Sequence, residues 1–367
     1  MANQRRNLAV DVFRGLAISL MVMVNNPGSY LYVYHPLRHS DWQGCTPADF
    51  VFPFFLIIVG ISVTFSLAAR ARRPSKRSPL MREVCLRSVK LFCLGLFDEN
   101  FPFLGDHQWR IPGVLQRIAI VYGLCVLLGH KLSGKSLALI VAALLLGYWG
   151  LLVLVPVPGI GAADLARPAA NIAAWLDHRL MGPYLFSPDE GWDPEGLLST
   201  IPALCLSLIG VLTGKMLMAP VDLEKKINRL FVGGLALAAA GYYWSEWFPF
   251  NRWLWTSSFM LFVAGVGLMV LGLCTVITEW PRVSKVIYPF KALGANAIVI
   301  YLCSSIFSKV LYILPVGEEN MHDLIYNFLF GSWLSTPNAS MVWAVAYTFV
   351  MFVVSHRLYV KGVVIKI

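Results

Sequence analysis

Charge is what this sequence has least of. Lysine, arginine, aspartate and glutamate together make up 14% of its 367 residues, while 57% are hydrophobic. A soluble domain carries about 25% charged residues. A chain so short of polar cover cannot solvate its own surface in water, so lipid must take part of that role and an ordinary soluble protein is excluded. Cysteine is present but unorganised. Of Cys45, Cys85, Cys93, Cys125, Cys205, Cys274 and Cys303, six fall in apolar runs and none forms a CxxC pair. They read as small packing residues, with no disulfide framework and no metal site expected. Low-complexity segments and internal repeats are missing as well. The first apolar run holds Asp11 and Arg14 and no small-x-small cleavage site accompanies it, so it reads as a retained first helix.

What is there in quantity is apolar runs of bilayer length. They lie near 8–26, 50–69, 83–97, 113–130, 136–155, 196–217, 228–245, 254–277, 292–314 and 341–360, and about 17–25 residues suffice to cross a bilayer core. The run at 83–97 is short and carries Arg87 and Lys90. If the N-terminus is cytoplasmic, twenty lysines and arginines fall in inner segments, against five in outer loops (Arg38, Arg110, Arg167, Arg179 and Arg252). That asymmetry sets the orientation and puts both termini in the cytoplasm. The net charge of +10 is then a topology signal with some attraction to anionic membrane lipid, and no nucleic-acid partner is expected. The expected fold is therefore all-α: a polytopic transmembrane bundle of about ten helices, forming one domain over 1–367.

The outer loops, 27–49, 98–112, 156–195, 245–253 and 315–340, are long and rich in Trp, Pro and Gly. Fifteen of the twenty acidic residues lie in or beside them. Loops of that length and aromatic content are unlike plain linkers. Residues 320–334 read as a short interfacial helix.

Ionisable groups inside a span are costly and each is a functional candidate. Asp11 and Arg14 share one helical face and can pair; the alternative is that Arg14 binds an anionic ligand. Asn25 and Asn26 precede Pro27 and Gly28, where the helix ends. Capping accounts for one of them, and two carboxamides can also hold a ligand amide or carbonyl. The most informative stretch is RHSDWQGCTPADFVFPFF, which gathers His39, Asp41, Trp42 and Asp49 ahead of the second helix. An imidazole oriented by a carboxylate suits proton transfer near neutral pH. Equally, Asp49 suits the first turn of that helix, and His39 suits a loop at the interface. Further polar groups recur at the outer level or within the bundle: Gln116 and Arg117, Asp193 and Glu195, Asn251 and Arg252, and Asn296.

These segments resemble the family of heparan-α-glucosaminide N-acetyltransferase and its bacterial relatives of the NagX type. The resemblance rests on D-x-F-R-G at 11–15, M-V-x-V-N at 21–25, H-S-D-W-x-G-x-T-x-A-D-x-V-F-P-F-F at 39–55, P-G-V-L-Q-R at 112–117, D-P-E-G-L-L at 193–198, L-W-T-S-S-F at 254–259 and K-A-L-G-x-N-A at 291–297. It implies transfer of an acetyl group from cytoplasmic acetyl-CoA to an amine or hydroxyl of a sugar on the far side of the membrane. The family's catalytic histidine then corresponds to His39 and an active-site asparagine to Asn25, although the stretch between them is a few residues longer here.

On this reading Asp49 orients His39. Asn26, Trp42, Gln116, Arg117, Asp193, Glu195, Asn251, Arg252 and Asn296 form the acceptor side. Arg14, Arg72, Arg73, Lys76 and Lys291 are the candidates for the CoA phosphates. The expected setting is a bacterial inner membrane with the active-site loop periplasmic, as a monomer or a homodimer. A transporter of amino sugars or their oligomers is the competing reading, and a non-catalytic scaffold or sensor the third.

Overall fold

A computed structural model describes residues 8–72, 79–103, 108–280 and 283–365; Arg73 and Lys76 lie outside the described residues. The architecture is an all-α polytopic bundle. Its helices are α1 (Leu8–Asn25), α2 (Val51–Ala71), α3 (Leu80–Asn100), α4 (Val114–Lys131), α5 (Gly134–Leu154), α6 (Ile172–Met181), α7 (Thr200–Met218), α8 (Leu223–Trp244), α9 (Ser257–Glu279), α10 (Ser284–Ala295), α11 (Ala297–Ile313), α12 (Met321–Tyr326) and α13 (Thr336–Val360).

The apolar run at 292–314 crosses from α10 into α11, and each of the other nine falls on one of these helices. Seven of them (α1, α2 with its leading turn, α4, α5, α7, α9 and α13) are long and apolar enough to cross a membrane. An eighth span is formed if α10 and α11 count together, although they meet at a 78° bend. The bend falls at Asn296, whose backbone leaves helical geometry between the two. α3 and α8 have the length, at 21 and 22 residues. Charges along the first half of α3 (Glu83, Arg87 and Lys90) and in the first two turns of α8 (Glu224, Lys225, Lys226 and Arg229) lower their apolarity.

The chain divides into two compact units. The first comprises residues 1–39, 46–55 and 270–367, and the second residues 40–45 and 56–269. In the first unit α1 packs on α10 backbone to backbone. A Cβ on Gly15 would lie 1.7 Å from the Phe290 carbonyl oxygen, and one on Gly294 would lie 2.4 Å from the Asp11 carbonyl oxygen. Small residues allow this approach where lipid gives helices no hydrophobic reason to associate. Phe13 meets Phe54 at 5.4 Å between ring centroids. Pro27 and Gly28 end α1, and the chain is tied to the start of α13 by Gly28 N–H to the Ser340 carbonyl and Ser29 N–H to Ser340 Oγ.

The expected short helix at 320–334 is present as α12. It is capped by Asn320, which accepts from Asp323 N–H at 2.9 Å, and after six residues it widens into a π-helical turn, Asn327–Gly331.

In the second unit α2 and α7 cross at Gly60 and Gly210, whose Cα atoms face the carbonyls of Ser207 and Ile57. The long loop read at 156–195 holds a helix the hydropathy pattern did not reveal, α6, started by an Asn171 side chain that accepts from Ala174 N–H. A compact apolar cluster of Tyr148, Leu152, Ala173, Phe248 and Leu254 seats this loop on α5 and on the segment before α9, with Trp42 packed against it.

Candidate active site

Arg38, His39, Thr46 and Asp49 form a small hydrogen-bonded knot in the first unit. Thr46 precedes a 3₁₀ turn, Pro47–Phe50, that leads into α2. One oxygen of Asp49, Oδ2, accepts from Thr46 N–H at 2.8 Å, which closes a capping box. The Thr46 hydroxyl lies 2.7 Å from the Arg38 carbonyl and 3.2 Å from Asp49 Oδ2. The other carboxylate oxygen, Oδ1, lies 2.8 Å from His39 Nδ1. Asp49 therefore both caps the entry to α2 and hydrogen-bonds the His39 ring.

Its side chain is fully buried while that of His39 is one-third exposed. A carboxylate on Nδ1 selects the tautomer with the proton there, and the lone pair is left on Nε2. That arrangement supports general-base or nucleophilic chemistry at Nε2.

Asn25 ends α1 with its side chain exposed, and its backbone carbonyl accepts from the Tyr30 hydroxyl at 2.8 Å. Asn26 is buried and turns its amide back to the Val22 carbonyl at 2.7 Å. Asn296 is fully engaged: Nδ2 donates to the Val363 carbonyl and Oδ1 accepts from Ile365 N–H, each at 2.9 Å. This residue straps the C-terminal segment to the α10–α11 break. Arg14 pairs with Asp11 at 2.9 Å, and Lys291 sits 5.8 Å from the Tyr359 ring centre.

The second unit contains a separate polar centre. Arg110 binds three carboxylates: Asp193 through Nε–Oδ2 at 3.0 Å and Nη2–Oδ1 at 2.8 Å, Glu195 at 2.6 Å and Glu99 at 3.0 Å. Burial disfavours its charge, but Glu195, Asp193 and Glu99 more than offset this and hold the guanidinium firmly protonated. Asp193 also accepts from the backbone N–H groups of Phe186 and Glu195.

Arg117, on α4, is buried to 1% exposure. Its Nη2 donates to the Gly196 carbonyl at 3.0 Å and to the Ser199 hydroxyl. The guanidinium stacks 4.7 Å from the ring centre of Trp255, a residue with φ of +54°. That backbone region is unfavourable for a bulky side chain, and such strain concentrates at functional sites. Nε and Nη1 of Arg117, Oε1 of Gln116 and Nδ2 of Asn251 are buried and lack a hydrogen-bond partner among the described residues. Gln116 donates to the Ile111 carbonyl, and the Asn251 oxygen accepts from Leu254 N–H.

Nearby, Asp177 receives Leu197 N–H at 2.8 Å. Burial pushes its carboxyl up to about 7, helped by Asp193 and opposed by the Leu197 hydrogen bond and Arg117. Trp42 donates to the Leu165 carbonyl and packs on Trp192, which in turn meets Trp253. Arg252 stacks on Trp253 at 4.0 Å. Arg72 is exposed just beyond α2.

Sequence reasoning missed Arg110, Glu99, Asp177 and Thr46. The first had a signal, as one of only five basic residues in the outer loops. Thr46 had another, as the residue three before Asp49 in capping-box spacing. Among the described residues no group of three or more His, Cys, Asp or Glu side chains converges as a metal set.

The fold and the His39–Asp49 pair together define a polytopic membrane protein with an imidazole held by a buried carboxylate on the loop entering its second helix. A family model described as heparan-alpha-glucosaminide N-acetyltransferase, catalytic, matches residues 6–236. Human heparan-alpha-glucosaminide N-acetyltransferase is 29% identical over 358 residues, covering 82% of this chain and 53% of the relative. The mouse protein of the same name is 27% identical over 388 residues, covering 89% and 58%. The chain belongs to the heparan-α-glucosaminide N-acetyltransferase family. It spans a little over half the length of these curated relatives.

Proposed function

We propose that the chain is a membrane-embedded acetyltransferase that takes an acetyl group from acetyl-CoA at the cytoplasmic face and delivers it to an amine or hydroxyl of a sugar at the opposite face. The proposal treats both units as parts of one transferase domain. The observation that carries it is the His39 Nδ1–Asp49 Oδ1 contact of 2.8 Å, with Asp49 buried and anchored to Thr46. Family membership supplies the reaction class, and the relatives' names point to a glucosamine-type amine as acceptor.

In the direct route, Nε2 of His39 takes a proton from the attacking nitrogen or oxygen while that atom bonds to the thioester carbonyl carbon. The tetrahedral intermediate then expels the CoA thiolate, which takes up the proton. In the two-step route Nε2 bonds to the carbonyl carbon first and the thiolate leaves; the acceptor then displaces the imidazole, and the proton the acceptor loses passes to the CoA thiolate. Asn25, exposed at the end of α1, is the candidate oxyanion donor. The unused donors of Arg117 suit a carbonyl or hydroxyl of the acceptor, together with Gln116, Asn251, Asp193 and Glu195. Arg14, Arg72 and Lys291 remain the candidates for the CoA phosphates.

The test is acetyl transfer in proteoliposomes, with labelled acetyl-CoA on one side and glucosamine on the other. His39→Ala is expected to abolish transfer while the protein still folds and inserts; transfer at the wild-type rate would overturn the assignment. Omitting the acceptor separates the routes, because only the two-step route leaves label on His39. A transporter would instead move labelled sugar without any acyl donor.

A further inference from the structure

We propose that the space bounded by α5, α7, α8 and α9 in the second unit holds one acyl chain of an anionic phospholipid, with Arg229 receiving its phosphate. The cavity there has a volume of about 490 Å³. Its walls are apolar side chains such as Leu145, Ile209, Leu237 and Leu268. Thr213 also faces it, but that hydroxyl is already satisfied by the Ile209 carbonyl at 2.8 Å. Arg229 is the one charged residue on the wall; it is exposed and makes no ion pair among the described residues. Water would need about two to four polar partners to settle in such a space, and the space is partly open, so a chain from the surrounding lipid can enter it.

Shape identifies the occupant. Along α8 the lining runs from Arg229 to Trp244, a length of roughly 22 Å at about 1.5 Å per residue. Spreading about 490 Å³ over that length gives a channel roughly 5 Å wide, whereas a helix with its side chains is about 10–12 Å across. A helix from a second copy does not fit, and a compact polar ligand finds nothing to bond. A single hydrocarbon chain matches both the width and the lining. Its source is given by charge. Lys225, Lys226 and Arg229 stand in the first two turns of α8 beside Asp222 and Glu224, with Lys225 paired to Asp222 at 3.3 Å; the positive charge that remains lies at the end that the basic asymmetry puts in the cytoplasm, where anionic lipid attracts such residues. α8 is held against α9 by the close approach of Gly234 to the Gly265 carbonyl, so the opening between α8 and the α5–α7 pair does not depend on α8 being loose. The proposal stands independently of the acetyl-transfer reading.

The test uses the full chain in liposomes containing phosphatidylglycerol that carries a diazirine in the middle of one acyl chain. After irradiation, adducts are mapped by peptide mass spectrometry. Enriched labelling is expected on the cavity faces of α5, α7 and α9, and excess phosphatidylglycerol should compete better than excess phosphatidylcholine. Arg229→Gln should lower this labelling about five-fold and remove the headgroup preference. Ala142→Phe, on the cavity wall, should lower it for either headgroup while labelling of α13 stays unchanged. Labelling no denser in the cavity than on α13, or insensitive to Ala142→Phe, would overturn the proposal. Labelling sensitive to Ala142→Phe but indifferent to Arg229→Gln would overturn the phosphate assignment.

Discussion

Asn in place of Asp49 is the most demanding perturbation of the proposed chemistry, because it keeps shape and removes only the charge and the symmetry of the carboxylate. In the native side chain both oxygens accept: Oδ1 faces His39 Nδ1 and Oδ2 faces Thr46 N–H, each at 2.8 Å. An amide has one acceptor and one donor, so a single substitution forces a choice. If the amide oxygen stays on Thr46 N–H, the NH₂ group faces His39 Nδ1. The imidazole must then carry its proton on Nε2, the atom that has to accept one. If the oxygen stays on His39 instead, NH₂ opposes Thr46 N–H in a buried site, leaving a donor unsatisfied at a cost of about 1–3 kcal/mol.

The capping contact is worth only about 1 kcal/mol, so the first arrangement and the second compete closely. Even a correct tautomer then lacks the carboxylate that stabilises the imidazolium during transfer. In the Ser-His-Asp triad, a different system, the same Asp-to-Asn change costs about 10⁴ in kcat; about 10³–10⁴ is expected here. The assay is the initial rate of acetyl transfer in proteoliposomes, read beside thermal unfolding of the same preparation. Thr46→Val serves as the control, since it removes the hydroxyl while leaving the backbone N–H and the His39–Asp49 bond. It should cost less than ten-fold. Asp49→Asn active to within two-fold of wild type, in a folded protein, would refute the idea that Asp49 acts through His39.

Other outcomes follow from the second unit. Arg110→Met strands three carboxylates, of which the Asp193 side chain is fully buried, and should destabilise by about 3–5 kcal/mol; an unchanged melting temperature would show the network to be dispensable. Asp177, with its carboxyl near 7 instead of 3.8, binds its proton more tightly folded than unfolded. Its stabilising contribution is therefore complete below about pH 4 and is lost as pH rises through about 7, by at most about 4 kcal/mol. Asp177→Asn should flatten unfolding temperature against pH in that window, and an unaltered slope would count against the assignment. Arg117→Met exchanges a buried cation for an apolar side chain of similar length, so stability should change little or rise. If its unused donors meet substrate, kcat/KM should still fall at least 100-fold; equal activity would make Arg117 a packing residue.

The all-α membrane class was legible because it depends on quantities that a sequence displays directly: scarce charge, apolar runs of bilayer length and a one-sided distribution of lysine and arginine. His39 and Asp49 were legible as candidates because ionisable groups are rare here, and their pairing needed only a short turn between them. What was hidden depends on shape. Arg117 and Trp255 are 138 residues apart, and only the fold stacks them. α6 lies in a long loop and is itself too short and too mixed for a hydropathy signal, yet its Asn171 cap gives it a start. Asn296 looked like a ligand group because it is a buried carboxamide in a span. The reason it is tolerated is local: α10 ends there, and its amide supplies hydrogen bonds to the backbone of the incoming C-terminal segment at Val363 and Ile365.

The competing transporter reading meets a physical objection at the His39 loop. A carrier has to bind its cargo and let it go, and it gains nothing from fixing an imidazole tautomer. A group-transfer site does gain from that. Here one buried carboxylate has each of its oxygens committed, one to the helix entry and one to the ring, so the ring is oriented by the same contacts that start α2. Any motion of Asp49 that released the imidazole would also uncap the helix entry. Such rigidity suits a residue that must present one lone pair in one direction and is a poor choice for a gate. For the same reason, variants of Thr46 and Asp49 should change the rate of transfer more than the affinity for the acceptor, since neither side chain has a remaining surface with which to touch it. A rise in acceptor KM with unaltered kcat in Asp49→Asn would point instead to a binding role for the loop.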